Sequence, residues 1–392
     1  MESDSILVSW FNKLLNPSKW GNHLEDRDKR VEVEAILEKI TSGLMADRQE
    51  INFLLSLTNQ SEIELLFKAA RKSRETNFGD EIFLYGFVYF STYCRNNCIF
   101  CFYRSCNQAS SRYRKTPAQV IETSVKLADS GVDLLDLTMG EDPYYFNSGN
   151  FEELVDLVAS VKEKTVLPLM ISPGLVPTSV IQGFSEVGVD WYACYQETHN
   201  RELFTKMRLN QDYDQRLKVK GYAHQLGMLA EEGLLVGVGE TAGDLAYSFE
   251  VMDKIAADQV RVMSFIPQKG TPLENIQTGS SLRELLVIAV MRLLFPDRLI
   301  PASLDVDGIG GLKDRLNAGA NVVTSIIPPE EGLMGVSQST LDIDEGGRTV
   351  AGTIPILHDC GLQPAGKGNY SRWVENRKKR YITRNSKQEQ EA

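Results

Sequence analysis

The chain has 392 residues, 42% of them hydrophobic and 24% charged, with a formal net charge of −11. That apolar content supports a substantial core, no apolar run reaches the ~20 residues of a membrane-spanning helix, and the acidic balance argues against non-specific nucleic-acid binding. Six cysteines over this length make no disulfide framework, and three of them lie within eight positions, so a reducing, cytoplasmic setting is expected.

The opening "MESDSILVSWFNKLLNPSKW" carries acidic residues where a secretory leader needs basic ones, and no export is expected. "RVEVEAILEKI" and "SEIELLFKAARKSRE" place apolar residues at helical spacing without breakers, predicting a helical extension over residues 1–75. The period then changes. "EIFLYGFVYF" (81–90) is nearly continuous in apolar character, as a strand buried on both faces should be. "TPAQVIETSVKLADSG" supplies Thr116 as N-cap, Pro117 at the first helical position and Gly131 just past the end. Further strands are predicted at "DLLDLTM" (133–139), "LPLMIS" (167–172), "DWYACY" (190–195), "GLLVGVG" (233–239), "QVRVMSF" (259–265), "LIPAS" (299–303) and "NVVTSI" (321–326). Eight strands alternating with helices, with no internal repeat, predict an α/β fold: a (β/α)8 TIM-type barrel over 76–328, with a doubly wound sheet as the alternative. Residues 329–392 form a C-terminal addition, entered through "SIIPPEEGLMG" and ending in the basic run "ENRKKRYITRNSKQ", which is expected to be a solvated tail.

In a barrel, Cys94, Cys98 and Cys101 of "YCRNNCIFC" occupy the first βα loop, at the face where such folds place their chemistry. Three thiolates on one short loop can ligate three irons of a 4Fe–4S cube and leave the fourth iron open for another ligand. The competing readings are a zinc site completed by Cys106, or thiols buried as small hydrophobes. Zinc sites favour paired C-x2-C elements well apart in sequence, and there is no second pair. Cys106, Cys194 and Cys360 are scattered and read as buried or incidental thiols.

Two charges stand in strands that should be apolar. Asp136 shares alternation parity with Thr138, and Arg261 with Met263, so both should face inward. Ser303 and Asp305 follow at the end of the seventh strand. Buried charges without partners cost several kcal/mol each, roughly. One reading is that Arg261 simply pairs with Asp136 or Asp305; the other is that two acids, a guanidinium and a hydroxyl receive a ligand with two ammonium groups and one carboxylate, the charge pattern of a basic amino acid.

The C-x3-C-x2-C spacing, with Phe100 immediately before Cys101, resembles the signature of the radical S-adenosylmethionine (radical SAM) superfamily. The resemblance implies one 4Fe–4S cluster whose open iron is chelated by SAM, and reductive cleavage of SAM to a 5′-deoxyadenosyl radical. It further implies SAM contacts from Gly140, Glu141 and Asp142 of "MGED", Ser172 of "SPG", Glu197 of "YQET", Arg216 of "DYDQR", and Gly237 and Gly239 after the fifth strand. The stretches "DLTMGEDPYY", "YQETHNRELFTKMRLNQ", "RVMSFIPQKGTPLE" and "RLIPASLDVDGIGGLKDRLNAGANVVTSI" resemble the lysine-rearranging branch that serves pyrrolysine biosynthesis. That branch isomerises L-lysine to 3-methyl-D-ornithine and implies Arg261 on the substrate carboxylate, Asp305 with Ser303 on the α-ammonium and Asp136 on the side-chain ammonium. No further catalytic side chain is implied. The implied partners are L-lysine and a flavodoxin- or ferredoxin-type electron donor, with neither nucleic acid nor membrane. Biotin-synthase-like and hydrogenase-maturation-like enzymes share this barrel and are alternatives, although Thr138-Met139-Gly140 offers no cysteine for a second cluster. A non-catalytic iron–sulfur or zinc-binding protein is the alternative of another class.

Overall fold

The computed structural model describes residues 26–277, 280–328 and 347–391. Three helices come first: α1 (Asp26–Thr41), α2 (Arg48–Leu55) and α3 (Gln60–Phe78). Asp47 and Glu50 close a reciprocal capping box at the start of α2, and Gly79, at φ 65°, ends α3.

The eight expected strands then form: β1 (Glu81–Ser91), β2 (Leu134–Met139), β3 (Leu169–Ser172), β4 (Trp191–Ala193), β5 (Leu229–Val236), β6 (Gln259–Ser264), β7 (Pro301–Ser303) and β8 (Val322–Ile326). All neighbours are parallel, in the order β6-β5-β4-β3-β2-β1-β8-β7. Between β6 and the start of β7 a bridge joins Gln259 to Leu299, so the sheet is a nearly closed barrel rather than an open doubly wound sheet.

Helices cover the outside: α4 (Pro117–Asp129), α5 (Pro143–Phe146), α6 (Phe151–Thr165), α7 (Thr178–Glu186), α8 (Arg201–Met207), α9 (Tyr213–Gln225), α10 (Ala242–Lys254), α11 (Leu282–Leu294) and α12 (Leu312–Asn317). Thr116 and Pro117 start α4 as the sequence predicts. Strand alternation sorts the core into two layers. On β1, Ile82, Leu84, Val88 and Phe90 pack outward beneath the helices, whereas Phe83, Tyr85, Phe87 and Tyr89 line the interior.

β5 begins four residues before the expected Gly233. It ends at Val236 rather than at 239, so Gly237 and Gly239 lie beyond it, and the Gly237 N–H donates to the Glu240 carboxylate.

The C-terminal addition supplies α13 (Val350–Asp359), the two-residue β9 (Gln363–Pro364), which pairs with the start of β1, and α14 (Asn369–Glu391). Over residues 375–381, where its side chains are described, the basic run is not a solvated tail. Arg377 ion-pairs with Asp258 at 2.7 Å, and Lys378 with Asp190 at 2.6 Å. Tyr370 and Val374 of α14 close the bottom of the barrel against Phe83, Tyr85, Leu134 and Trp191. A 23-residue helix with one apolar stripe seats that stripe on the open barrel end, and its cations find the acids at the strand starts. The expected linker beyond residue 328 and the first 25 residues lie outside the described residues. Among the described residues no helix is long and apolar enough to cross a membrane.

Candidate active site

A cavity of about 240 Å³ opens at the C-terminal ends of the strands. Cys94, Cys98 and Cys101 line it, and Asp136, Arg261 and Asp305 line it as well. Gly140, Glu141, Ser172, Glu197 and Arg216 are also in its wall. The loop carrying the cysteines is fixed by neighbours whose conformations the sequence imposes. Gly140 follows β2 at a point where a Cβ would lie 2.3 Å from the Tyr93 carbonyl oxygen and 2.9 Å from the Cys94 Cβ, so only glycine lets the loop pack there. The Arg95 N–H donates to the Glu141 carbonyl at 2.9 Å, and its guanidinium reaches the Glu141 carboxylate at 2.9 Å.

Burial pushes the Cys94 thiol up to about 11 and the Cys101 thiol higher still. Thiolates here need cationic partners, which is what iron supplies. Among the described residues no group of three His, Cys, Asp or Glu is placed to hold a single metal ion. A cube instead takes one thiolate on each of three irons, and three thiols lining one cavity fit that donor set.

The expected SAM residues divide. Arg216 is buried, not a solvated helix residue; it donates to the Tyr195 carbonyl at 2.9 Å and to Glu141 at 3.4 Å, leaving a buried Nε that has no partner among the described residues. Glu197 sits at φ 68°, paired with Arg208 at 2.7 Å, and burial pushes its carboxyl up. Asp142 departs from expectation. Its carboxylate caps α5 and is taken by Arg114 at 2.6 Å and by Ser91, which holds the carboxyl below its usual range against the opposing effect of burial. It does not line the cavity, and neither do Gly237 and Gly239, which lie past the end of β5. Cys194, read as a buried or incidental thiol, is buried and lines the cavity; Cys106 is exposed.

Deeper in, the charged residues have partners other than those weighed from the sequence. Arg261 pairs neither with Asp136 nor with Asp305: its Nε donates to Glu231 at 2.7 Å and its Nη1 to Thr324 at 3.1 Å, while its buried Nη2 has no partner among the described residues. Glu231 is fully buried and also accepts from Tyr195 at 2.7 Å and Gln259 at 2.6 Å. Asp136 accepts at Oδ1 from Thr138 at 2.8 Å and Ser172 at 3.1 Å. Burial, reinforced by the charge of Glu231 and opposed by that of Arg261, raises its carboxyl to about 7. Asp305 accepts from Arg348 at 2.6 Å and Ser325 at 2.7 Å; Ser303 supports it at 3.3 Å but is not itself in the cavity wall.

Glu231 and Arg348 were not anticipated. Glu231 was findable, because a carboxylate in an apolar strand on the same face as Arg261 is the signal that marked Asp136. Its neighbour Glu232 faces the other way, against Lys220 at 2.8 Å. Arg348 stands 43 residues from Asp305, in a region without periodicity, and leaves no local mark.

The arrangement can hold a cluster at one end and, at the other, a small ligand carrying both charge signs. Comparison with known proteins bears on what it is. The model described as Radical SAM superfamily matches residues 88–252. The chain is 43% identical to the 3-methylornithine synthase of Methanosarcina barkeri, over 86% of this chain and 96% of that protein. It is 32% identical to the FeFe-hydrogenase maturase subunit HydE of Thermotoga maritima, over 74% of this chain and 82% of that one. A crystal structure of methylornithine synthase superposes with a TM-score of 0.82 at 43% identity, covering 86% of this chain and 99% of the other. With its cysteine loop at the mouth of a parallel barrel and this likeness along most of its length, the chain belongs to the 3-methylornithine synthase family of radical SAM proteins.

Proposed function

We propose that the chain isomerises L-lysine to (3R)-3-methyl-D-ornithine, the entry reaction of pyrrolysine biosynthesis. The observation that carries this reading is the Arg261 guanidinium, held at Nε by Glu231 with Nη2 unpartnered among the described residues, in the wall of a cavity that also presents Asp136 and Asp305. Around the proposed amino-acid site the guanidiniums of Arg261 and Arg348 and the carboxyls of Glu231, Asp136 and Asp305, of which Arg261, Asp136 and Asp305 line the cavity and the other two stand behind them, carry a formal charge of −1 when all are ionised, which the +1 charge of lysine neutralises. In this reading Arg261 grips the substrate carboxylate, Asp305 supported by Ser303 takes the α-ammonium, and Asp136 takes the side-chain ammonium.

Cys94, Cys98 and Cys101 would hold the 4Fe–4S cluster, and Gly140, Glu141, Ser172, Glu197 and Arg216 would hold SAM. When bound and reduced by a flavodoxin- or ferredoxin-type donor, these groups supply a 5′-deoxyadenosyl radical. The chain's own residues bind and orient the amino acid and exclude water, so that reactive fragments recombine in place. Phe87, Tyr89, Phe102 and Tyr103 form an apolar cluster that Cys101 adjoins. No side chain has to act as nucleophile, acid or base.

The test is an anaerobic assay of reconstituted protein with SAM, reductant and isotopically labelled lysine. Arg261→Lys should abolish methylornithine formation while cluster and SAM still bind, since an ammonium cannot reproduce the planar two-donor grip. If this variant melts early yet rearranges lysine normally per folded molecule, the substrate assignment is wrong. Zinc in place of iron and sulfide in anaerobically purified protein would favour the non-catalytic alternative.

A further inference from the structure

We infer that Gln211 and Arg208 tune the electron affinity of the cluster by donating to the sulfur of Cys98, an inference that rests on Cys98 being a cluster ligand. Cys98 is 7% exposed, and two side-chain donors converge on its Sγ: the Gln211 amide Nε2 at 3.0 Å and the Arg208 Nη1 at 3.7 Å. The two donors brace one another. The Gln211 Oε1 accepts from Arg208 Nη1 at 3.1 Å, which turns the amide nitrogen toward the sulfur. Arg208 is held in turn by Glu197 at 2.7 Å and lies over the Phe100 ring, 5.5 Å from its centroid.

The backbone joins the same unit. Ile99 N–H, one residue after the ligand, donates to the Met207 carbonyl at 2.9 Å, so the loop carrying Cys98 and the segment 207–211 are fastened together independently of the side chains. Sequence alone marks Gln211 only as a polar residue after α8.

Donors and positive charge at a ligand sulfur stabilise the electron-rich reduced cluster more than the oxidised one, and so raise its reduction potential. Gln211 supplies a neutral donor and Arg208 a cationic one, on one ligand. The pair therefore eases delivery of an electron to the cluster.

The experiment is an EPR-monitored redox titration of anaerobically reconstituted full-length protein, with iron and sulfide counted in the same samples. Gln211 is only partly buried, so its variants should fold. Gln211→Leu removes the donor, and Gln211→Glu replaces it with a negative charge that Arg208 will pair. Both should retain full iron and sulfide and shift the midpoint potential downward, Glu further than Leu. A midpoint unchanged in both variants with the cluster intact would overturn the inference. Loss of iron in both would overturn it as well, by showing that Gln211 holds the cluster rather than tunes it. Cys98→Ala separates the underlying assignment: if that variant keeps a complete cube, Cys98 is not a ligand, whatever the Gln211 variants do.

Discussion

Lysine binding should release a proton from Asp136. In the unliganded protein its carboxyl lies at about 7, because burial and the nearby Glu231 charge outweigh the pull of Arg261. An ammonium placed against it favours the ionised form, so binding at lower pH must expel the proton first. At pH 6 about one site in ten is ionised and at pH 8 about nine in ten, so affinity should rise about tenfold between them, or about 1.4 kcal/mol. The lysine side-chain ammonium, with a pKa near 10.4, stays charged across that window. Isothermal calorimetry in buffers of different ionisation enthalpy should record close to one proton released per lysine at pH 6 and close to none at pH 8. In Asp136→Asn both the release and the slope should vanish, with weaker binding at pH 8.

The same shift acts on folding with a defined sign. The folded state binds this proton more tightly than an unfolded chain, whose carboxyl lies near 3.8, so the unliganded protein loses stability as pH rises from about 4 to about 7. The loss is on the order of 4 kcal/mol at 1.36 kcal/mol per unit. Asp136→Asn should therefore melt above the parent at pH 8 while using lysine poorly. A core ion pair predicts the opposite, a less stable variant. An Asp136→Asn protein that is destabilised at pH 8, or that keeps the parent's pH slope in lysine binding, would refute the reasoning.

Replacing Cys94, Cys98 or Cys101 singly by Ala should remove the iron–sulfur absorbance and SAM cleavage, whereas Cys106→Ala, at an exposed thiol, should keep both, as ultraviolet–visible spectra will show. Arg216→Ala should weaken SAM binding by about 1.5–3 kcal/mol in equilibrium titration through loss of charge-assisted contacts, with iron content unchanged. Tyr370→Ala should cost about 3–5 kcal/mol in denaturant unfolding, because it empties the plug beneath the barrel and leaves the Tyr85 hydroxyl without its 2.8 Å partner. Gly140→Ala should reduce cluster loading as measured by iron content, since its methyl needs space that the Tyr93 carbonyl occupies.

The sequence made the barrel and much of the candidate site readable for two physical reasons. Strands buried on both faces show as short apolar runs, and any charge inside one is conspicuous, which is how Asp136 and Arg261 were found. Starting the fifth strand at Gly233 excluded Glu231 from that test, since two adjacent glutamates read as a strand's solvated approach until the ladder shows each facing a different buried cation. The partnership of Asp305 with Arg348 and the seat of α14 under the barrel depend on contacts between distant parts of the chain, and neither helical nor strand periodicity encodes a docking partner. Asp142 was misplaced for a related reason: a carboxylate followed by proline serves equally as a helix cap or a ligand contact, and only Arg114, 28 residues away, decides between them.

Tyr370 is also the far end of a buried chain of contacts, through the Tyr85 hydroxyl to Gln259 at 3.0 Å, on to Glu231 and so to Arg261. Gln259 is at the same time the residue whose backbone bridges β6 toward β7, where the ring of strands closes. Order of synthesis gives this arrangement a meaning in time. A ribosome releases the cysteine loop about 270 residues before it releases Tyr370, so the nascent barrel has the three thiols proposed as cluster ligands long before its floor. Not until the last helix emerges can the seam be sealed from below and the guanidinium braced from behind. A chain stalled before α14 has emerged would thus carry the thiols proposed for radical generation without a finished receptacle for the amino acid.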